Sequence, residues 1–172
     1  SSDEGATFAN LRGKPIAPDF VDIVDDPTLR RWQGKSLIGS FRYDDEGVPA
    51  QRATLVERGV LQGFLTTRTP IPGQRELNGH ARAARHERPI SRMGNLIVTS
   101  RVPQDPDALF ATFLEEIRRR KLPYGIHVLA TLGGETDTRS YDFQAFKGEI
   151  MHAERVTPDG QRELCRGVDF VG

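Results

Sequence analysis

Apolar and polar residues alternate in short runs along most of this chain, and only one stretch repeats at helical spacing. Phe20 to Val24 predicts a short strand, followed by a turn or helix start at Asp25-Asp26-Pro27-Thr28, where aspartate accepts backbone hydrogen bonds and proline presets φ. Ser36 to Tyr43 places Leu37, Gly39, Phe41 and Tyr43 on one face of a second strand. Asp44-Asp45-Glu46-Gly47 then turns the chain. Arg52 to Arg58 alternates again, Arg58-Gly59 reverses direction, and Val60 to Leu65 returns antiparallel. Leu96 to Thr99 is a further strand. Leu109, Phe110, Phe113, Leu114 and Ile117 recur every three or four residues and predict a helix over about 105–121. Asp105 is its N-cap, Pro106 its first residue, and Arg118-Arg119-Arg120-Lys121 its cationic last turn; Pro123 ends it. Beyond it, Tyr124 to Leu132 predicts a strand broken at Gly133-Gly134. Strands at Tyr141 to Phe146, Glu149 to Val156 and Gln161 to Val171 follow, the last two joined by the turn Thr157-Pro158-Asp159-Gly160.

About eight short strands in hairpins beside one good helix predict an α+β fold, mostly an antiparallel β meander, with the helix packed on one sheet face. Residues 1–34, interrupted by Pro15, Pro18 and Pro27, are expected to be a lead-in segment, and 35–172 the β-rich domain. A domain seldom begins with so little order, so the chain is expected to be part of something longer. Thr66 to Asn95 stands apart. It holds six arginines, two histidines, three prolines and three glycines, and a span of that length without clear periodicity is often functional.

The 172 residues carry 24 Lys and Arg against 24 Asp and Glu, a net charge of zero. That balance disfavours a dedicated nucleic-acid coat, although a local patch can survive a neutral total. Mean hydropathy is −0.50 and no apolar run approaches the roughly 20 residues of a bilayer span. Partnership with a membrane is therefore not expected, and the location is expected to be cytoplasmic. One cysteine, Cys165, excludes an internal disulfide and a multi-cysteine zinc cage.

Candidate chemistry is sparse. His80, His86, His127 and His152 do not form a His-Glu-x-x-His helix, and His127 and His152 read as packed strand residues. Cys165 lies in a strand-like run and reads as a small buried hydrophobe. No nucleophile elbow or phosphate-binding loop is present. The acids Asp44, Asp45 and Glu46 fit either a turn or a site for a cation or peptide amine. The arginines of residues 68–92 lack interleaved aromatics for base stacking, and suit a carboxylate or a partner subunit better.

Several motifs, in order, carry a resemblance. Tyr43-Asp44-Asp45-Glu46-Gly47-Val48-Pro49 precedes Leu55-Val56-Glu57-Arg58-Gly59-Val60-Leu61-Gln62-Gly63. Gly79-His80-Ala81-Arg82, Ser91-Arg92-Met93-Gly94-Asn95 and Gly133-Gly134 with Asp137 and Phe143 follow. Together they resemble the TldD/PmbA family, long labelled modulators of DNA gyrase, over about Val21 to Val171. The family usually has Asn at the position of His80 and Pro at that of Ser91.

The resemblance implies the C-terminal region of a zinc metallopeptidase of proteolysis or peptide maturation. Its His-Glu-x-x-x-His motif lies upstream of the matched region, and a further cysteine ligand lies downstream. Cys165 does not align with that ligand. No cofactor is therefore expected in this chain, and zinc only in a full-length catalytic parent. The chain would hold peptide substrate and assemble as a homo- or heterodimer with another TldD/PmbA-type subunit, without hydrolysing anything alone. The peptide-binding candidates are Asp45, Glu46, Arg82, Arg92, Asn95 and Gly134. Two alternatives remain: a non-catalytic PmbA/TldE-like partner subunit, and a nucleic-acid-associated regulator.

Overall fold

The computed structural model describes residues 8, 10–70, 73–137 and 145–171. Internal packing divides these into two units, Phe8–Pro103 and Gln104–Gly172.

The first unit is built on a four-stranded antiparallel sheet in the order β5-β4-β1-β8, from β1 (Val21–Asp25), β4 (Ala53–Glu57), β5 (Val60–Leu61) and β8 (Leu96–Ser100). The strand expected at Phe20 to Val24 thus lies inside the sheet, paired on both sides. The Arg58-Gly59 reversal is a two-residue hairpin turn with φ of 49° and 75°, the left-handed pair that matches strand twist. Only glycine fits its second position: a Cβ on Gly59 would lie 2.3 Å from the Ala17 carbonyl oxygen. Asp22 secures the same end of the sheet. It accepts from the Arg58 backbone N–H at 2.7 Å and from the Arg101 guanidinium at 2.8 and 3.1 Å. Arg101, and then the Arg58 amide, hold its carboxyl below the usual carboxylate range.

Two expectations change in this unit. Ser36 to Tyr43 is not a strand. Lys35–Ser36 (β3) pairs with Arg31–Trp32 (β2), and Tyr43 makes a single bridge to Pro49. Between them the chain follows the segment after β1, with Leu37 N–H donating to the Arg30 carbonyl and Phe41 N–H to the Pro27 carbonyl. At its centre Gly39 presses so closely on Gly94 that a Cβ would meet the Gly94 oxygen at 1.9 Å. The return strand after Gly59 also stops at Leu61, because Gln74 and Asn78 side chains bond the backbone of Phe64 and Thr66 in place of a ladder. Thr66 to Asn95 is largely irregular apart from a short hairpin of β6 (Ala81–Arg82) and β7 (Ile90–Ser91).

The second unit contains the one helix of the described residues, α1 (Pro106–Arg119). Asp105 caps it, accepting from the Ala108 N–H at 2.9 Å. It packs on β9 (Gly125–Asp137) through Phe113 and the buried Ile117. Gly125 permits the approach, since a Cβ there would lie 2.5 Å from the Phe113 ring and 2.7 Å from Ile117. β9 pairs antiparallel with β10 (Ala145–Val156). On the other side of β10 lie β11 (Arg162–Cys165) and β12 (Asp169–Val171). The single strand expected over Gln161 to Val171 is therefore two strands, separated at Gly167 with φ 70°. Gly133-Gly134 does not end β9: Gly133 pairs with Glu149 and Gly134 with Gly148, but the register shifts beside them, between Glu149 and Ile150, passing over Leu132. The strand expected at Tyr141 to Phe146 falls largely outside the described residues.

The fold is thus α+β, antiparallel throughout its described sheets, with one helix on a sheet face. No described helix is long and apolar enough to cross a membrane.

Candidate functional site

Asp44, Asp45 and Glu46 occupy a tight turn, and their three carboxylates do different things. Asp44 is buried: Oδ1 accepts from the Glu46 and Val48 N–H groups, and Oδ2 from the Ala81 N–H at 3.0 Å. It shapes its own loop and fastens that loop to β6. Asp45 is exposed, accepts from the Ala83 N–H at 2.8 Å, and lies 3.4 Å from the Arg82 Nε. Glu46 accepts from the Arg68 N–H at 2.7 Å. The acidic turn therefore organises the arginine-rich segment through its backbone amides.

Arg82 lies over the Phe41 ring, 5.0 Å from its centroid, and remains half exposed. Its guanidinium is held by an aromatic face and a carboxylate, and its outer edge is open to a ligand. The backbone N–H of Arg92 donates to the His80 carbonyl, and the residue is exposed. Asn95 is buried. Its Oδ1 accepts from Gly39 N–H at 3.0 Å, and its Nδ2 donates to the carbonyls of Asp26 at 3.0 Å and Leu29 at 2.9 Å. Asp45, Glu46, Arg82, Arg92 and Asn95 all belong to the first unit, with Asn95 holding it from within. Gly134 belongs to the second unit, where a Cβ would lie 2.7 Å from the Lys147 carbonyl oxygen. It allows β9 and β10 to approach.

Sequence reasoning missed the most buried polar cluster. His80 and Asp25 are both fully buried, with Nε2 3.0 Å from Oδ1. The Asn78 amide is oriented by its backbone partners: Nδ2 donates to the Phe64 carbonyl and Oδ1 accepts from Thr66 N–H. The His80 Nδ1, 3.0 Å from that Oδ1, must therefore carry a proton. A second proton then lies between Nε2 and the Asp25 carboxyl, because two lone pairs would otherwise face each other. Asp25 Oδ1 also accepts from Gly94 N–H at 2.9 Å, while its Oδ2 is buried without a partner. The cluster ties the end of β1 to both ends of the irregular segment. The available signal was His80 in a Gly-His-Ala-Arg run facing an Asp-Asp-Pro turn, a pairing of residues 55 positions apart that no periodicity encodes.

Among the described residues, no three His, Cys, Asp or Glu side chains gather as a metal site. His127 packs between Phe110 and Phe113 with Glu154 3.4 Å from its Nδ1, and His152 is exposed on β10. Cys165 faces Ala153 across the β10–β11 ladder with its Sγ 3.6 Å from the Glu163 carbonyl oxygen. Placed apart in this way, these donors do not fit a zinc ion among the described residues.

Comparisons with known proteins agree on one family. The profile of the PmbA/TldA metallopeptidase C-terminal domain matches residues 2–153. A metalloprotease of Methanothermobacter thermautotrophicus is 36% identical over 171 residues, covering 93% of this chain and 34% of the relative. A zinc metalloprotease TldD homolog of Saccharolobus solfataricus is 28% identical, covering 94% of this chain and 33% of the relative. Among solved structures, TldE from Thermococcus kodakarensis superposes with a TM-score of 0.61 at 19% identity, covering 98% of this chain and 34% of that one. A Thermotoga maritima protein described as a candidate modulator of a DNA gyrase gives 0.64 at 18%, covering 98% and 35%. The chain thus spans about a third of the length of the relatives it matches.

Proposed function

This chain belongs to the PmbA/TldD family as its metallopeptidase C-terminal domain, and from that premise we propose that it holds extended peptide substrate and contributes to subunit assembly in a zinc peptidase of peptide maturation. The observation that carries the reading is the open edge of β9. Over 13 residues β9 pairs only with β10 among the described residues, leaving a row of backbone donors and acceptors on its other side. An extended peptide can add to such an edge through main-chain hydrogen bonds without regard to its sequence. Gly134 lies on this edge strand and keeps it close to β10. In the first unit, as a separate contact surface, Asp45 and Glu46 would meet a peptide amine, Arg82 and Arg92 a carboxylate by a bidentate contact, and Asn95 would hold their supporting segment in place. Zinc, the base that activates water and the hydrolytic step belong to parts of the parent protein outside this chain. The partner is a second TldD/PmbA-type subunit, and the site of action is the cytoplasm.

Hydrogen exchange on the chain with and without an excess of a capped alanine-rich peptide tests the reading. Slower exchange confined to alternate β9 amides is the expected result. Unchanged β9 amides despite saturating peptide would refute strand addition. In parallel, stoichiometric zinc in the purified chain together with peptide turnover would refute the assignment of hydrolysis to other parts of the protein.

A further inference from the structure

Residues 8–103 contain 15 Lys and Arg against 10 Asp and Glu, an excess of five positive charges that the neutral total conceals. Three of those ten acids, Asp25, Asp26 and Asp44, are buried with no more than 6% of their surface exposed. The surface of this unit is thus more cationic than its composition, and one concave feature concentrates the excess. A groove of about 680 Å³ opens between the segment after β1 and the chain running to the acidic turn. Arg30 and Arg42 line it together with Leu37, Phe41, Tyr43 and Pro49, and no carboxylate does. Neither guanidinium has a carboxylate within 4.0 Å among the described residues, whereas Arg82 beside Phe41 is already paired with Asp45.

The walls are fixed before any ligand arrives. Leu37 N–H donates to the Arg30 carbonyl, Phe41 N–H to the Pro27 carbonyl and Ala50 N–H to the Arg42 carbonyl. Asn95 and Asp26 brace the same segment from beneath. A cavity of this size with a few apolar walls and two free guanidiniums suits a short run of chain carrying carboxylates.

We propose that this groove is a subsite for acidic side chains, so that the peptide-holding domain prefers segments bearing Glu or Asp. The proposal rests on the peptide-holding reading above and concerns the groove of the first unit by itself, which would add a side-chain preference that main-chain pairing does not supply. Charge complementarity alone would also admit a nucleic acid. Two free guanidiniums are few for a phosphate run, whose affinity grows with the number of phosphates neutralised.

The test uses fluorescence anisotropy with the intact chain and fluorescein-labelled decapeptides alternating Glu–Ala, Gln–Ala or Lys–Ala, plus an oligothymidine of matched charge. The Glu–Ala peptide should bind about tenfold more tightly than Gln–Ala, the effect of two partly screened guanidinium–carboxylate contacts. The double variant Arg30→Gln/Arg42→Gln should abolish that ratio and leave Gln–Ala binding and the circular dichroism spectrum unchanged, since both side chains are exposed. Added salt should narrow the ratio in the unsubstituted chain. Equal affinity for Glu–Ala and Gln–Ala would overturn the groove preference while leaving strand addition standing. Binding of no peptide at all would overturn both. A Glu–Ala preference that survives in the double variant would place the preference elsewhere. Oligothymidine binding more tightly than Glu–Ala, and lost in the double variant, would make the groove a nucleic-acid site instead.

Discussion

Removing one member of the buried His80–Asp25 pair should destabilise the first unit far more than removing a surface ion pair. In His80→Ala the Asp25 carboxyl keeps only the Gly94 N–H on Oδ1, and nothing on Oδ2. In Asp25→Ala the imidazole loses the partner of Nε2, and Gly94 N–H loses its acceptor. Leaving the remaining member of a buried hydrogen-bonded pair without its partner, together with the cavity the truncation opens, costs about 3–5 kcal/mol. The double variant removes both groups, leaving a cavity but neither side chain stranded without its partner. Its cost should fall short of the sum of the singles by about 2 kcal/mol, within the range measured for directly contacting residues. The assay is urea unfolding followed by the fluorescence of Trp32, the sole tryptophan, which lies in this unit. With a slope of about 2 kcal/mol per molar urea, each single variant should lower the midpoint by roughly 2 M. Single-variant costs that add to within about 0.5 kcal/mol in the double variant would refute the reasoning, because the two side chains would then be acting independently.

Two further outcomes follow from other parts of the molecule. Gly39→Ala should cost about 2 kcal/mol or more by the same assay, because its Cβ would lie 1.9 Å from a backbone oxygen that no rotamer change can move; an unchanged midpoint would show that the Gly39–Gly94 approach is not maintained. In α1, hydrogen bonds from Arg119 and then Arg120 lower the Glu116 carboxyl from 4.5 to about 2. A depressed carboxylate contributes stability that is present above its unfolded value and is lost as pH falls through the folded one. The helix should therefore lose this support between about pH 4.5 and 2, and carboxyl carbon NMR should show the Glu116 titration moving back toward 4.5 in Arg119→Gln/Arg120→Gln.

How much of this was legible in the chain depended on the range of the interaction that decided it. The helix was readable to within two residues, because Asp105, Pro106 and the Leu109–Ile117 spacing act within a few residues of one another. So was the Arg58-Gly59 hairpin, whose turn chemistry is local. The ordered motifs also pointed to the family. The segment from Ser36 to Tyr43 alternates like a strand yet is not one, because Arg30, Pro27 and Asn95 offer its backbone other partners from elsewhere in the chain. The glycines at 133 and 134 looked like a break and instead pair within β9, with a register shift beside Gly133, since what governs them is the opposing strand at Gly148 and Glu149. His80 and Asp25, the free guanidiniums of Arg30 and Arg42, and the positive charge of one unit within a neutral chain all depend on which residues come together in three dimensions. A linear pattern records the preference of each segment for helix or strand, whereas burial and pairing between distant side chains are set by the packed fold that desolvates them.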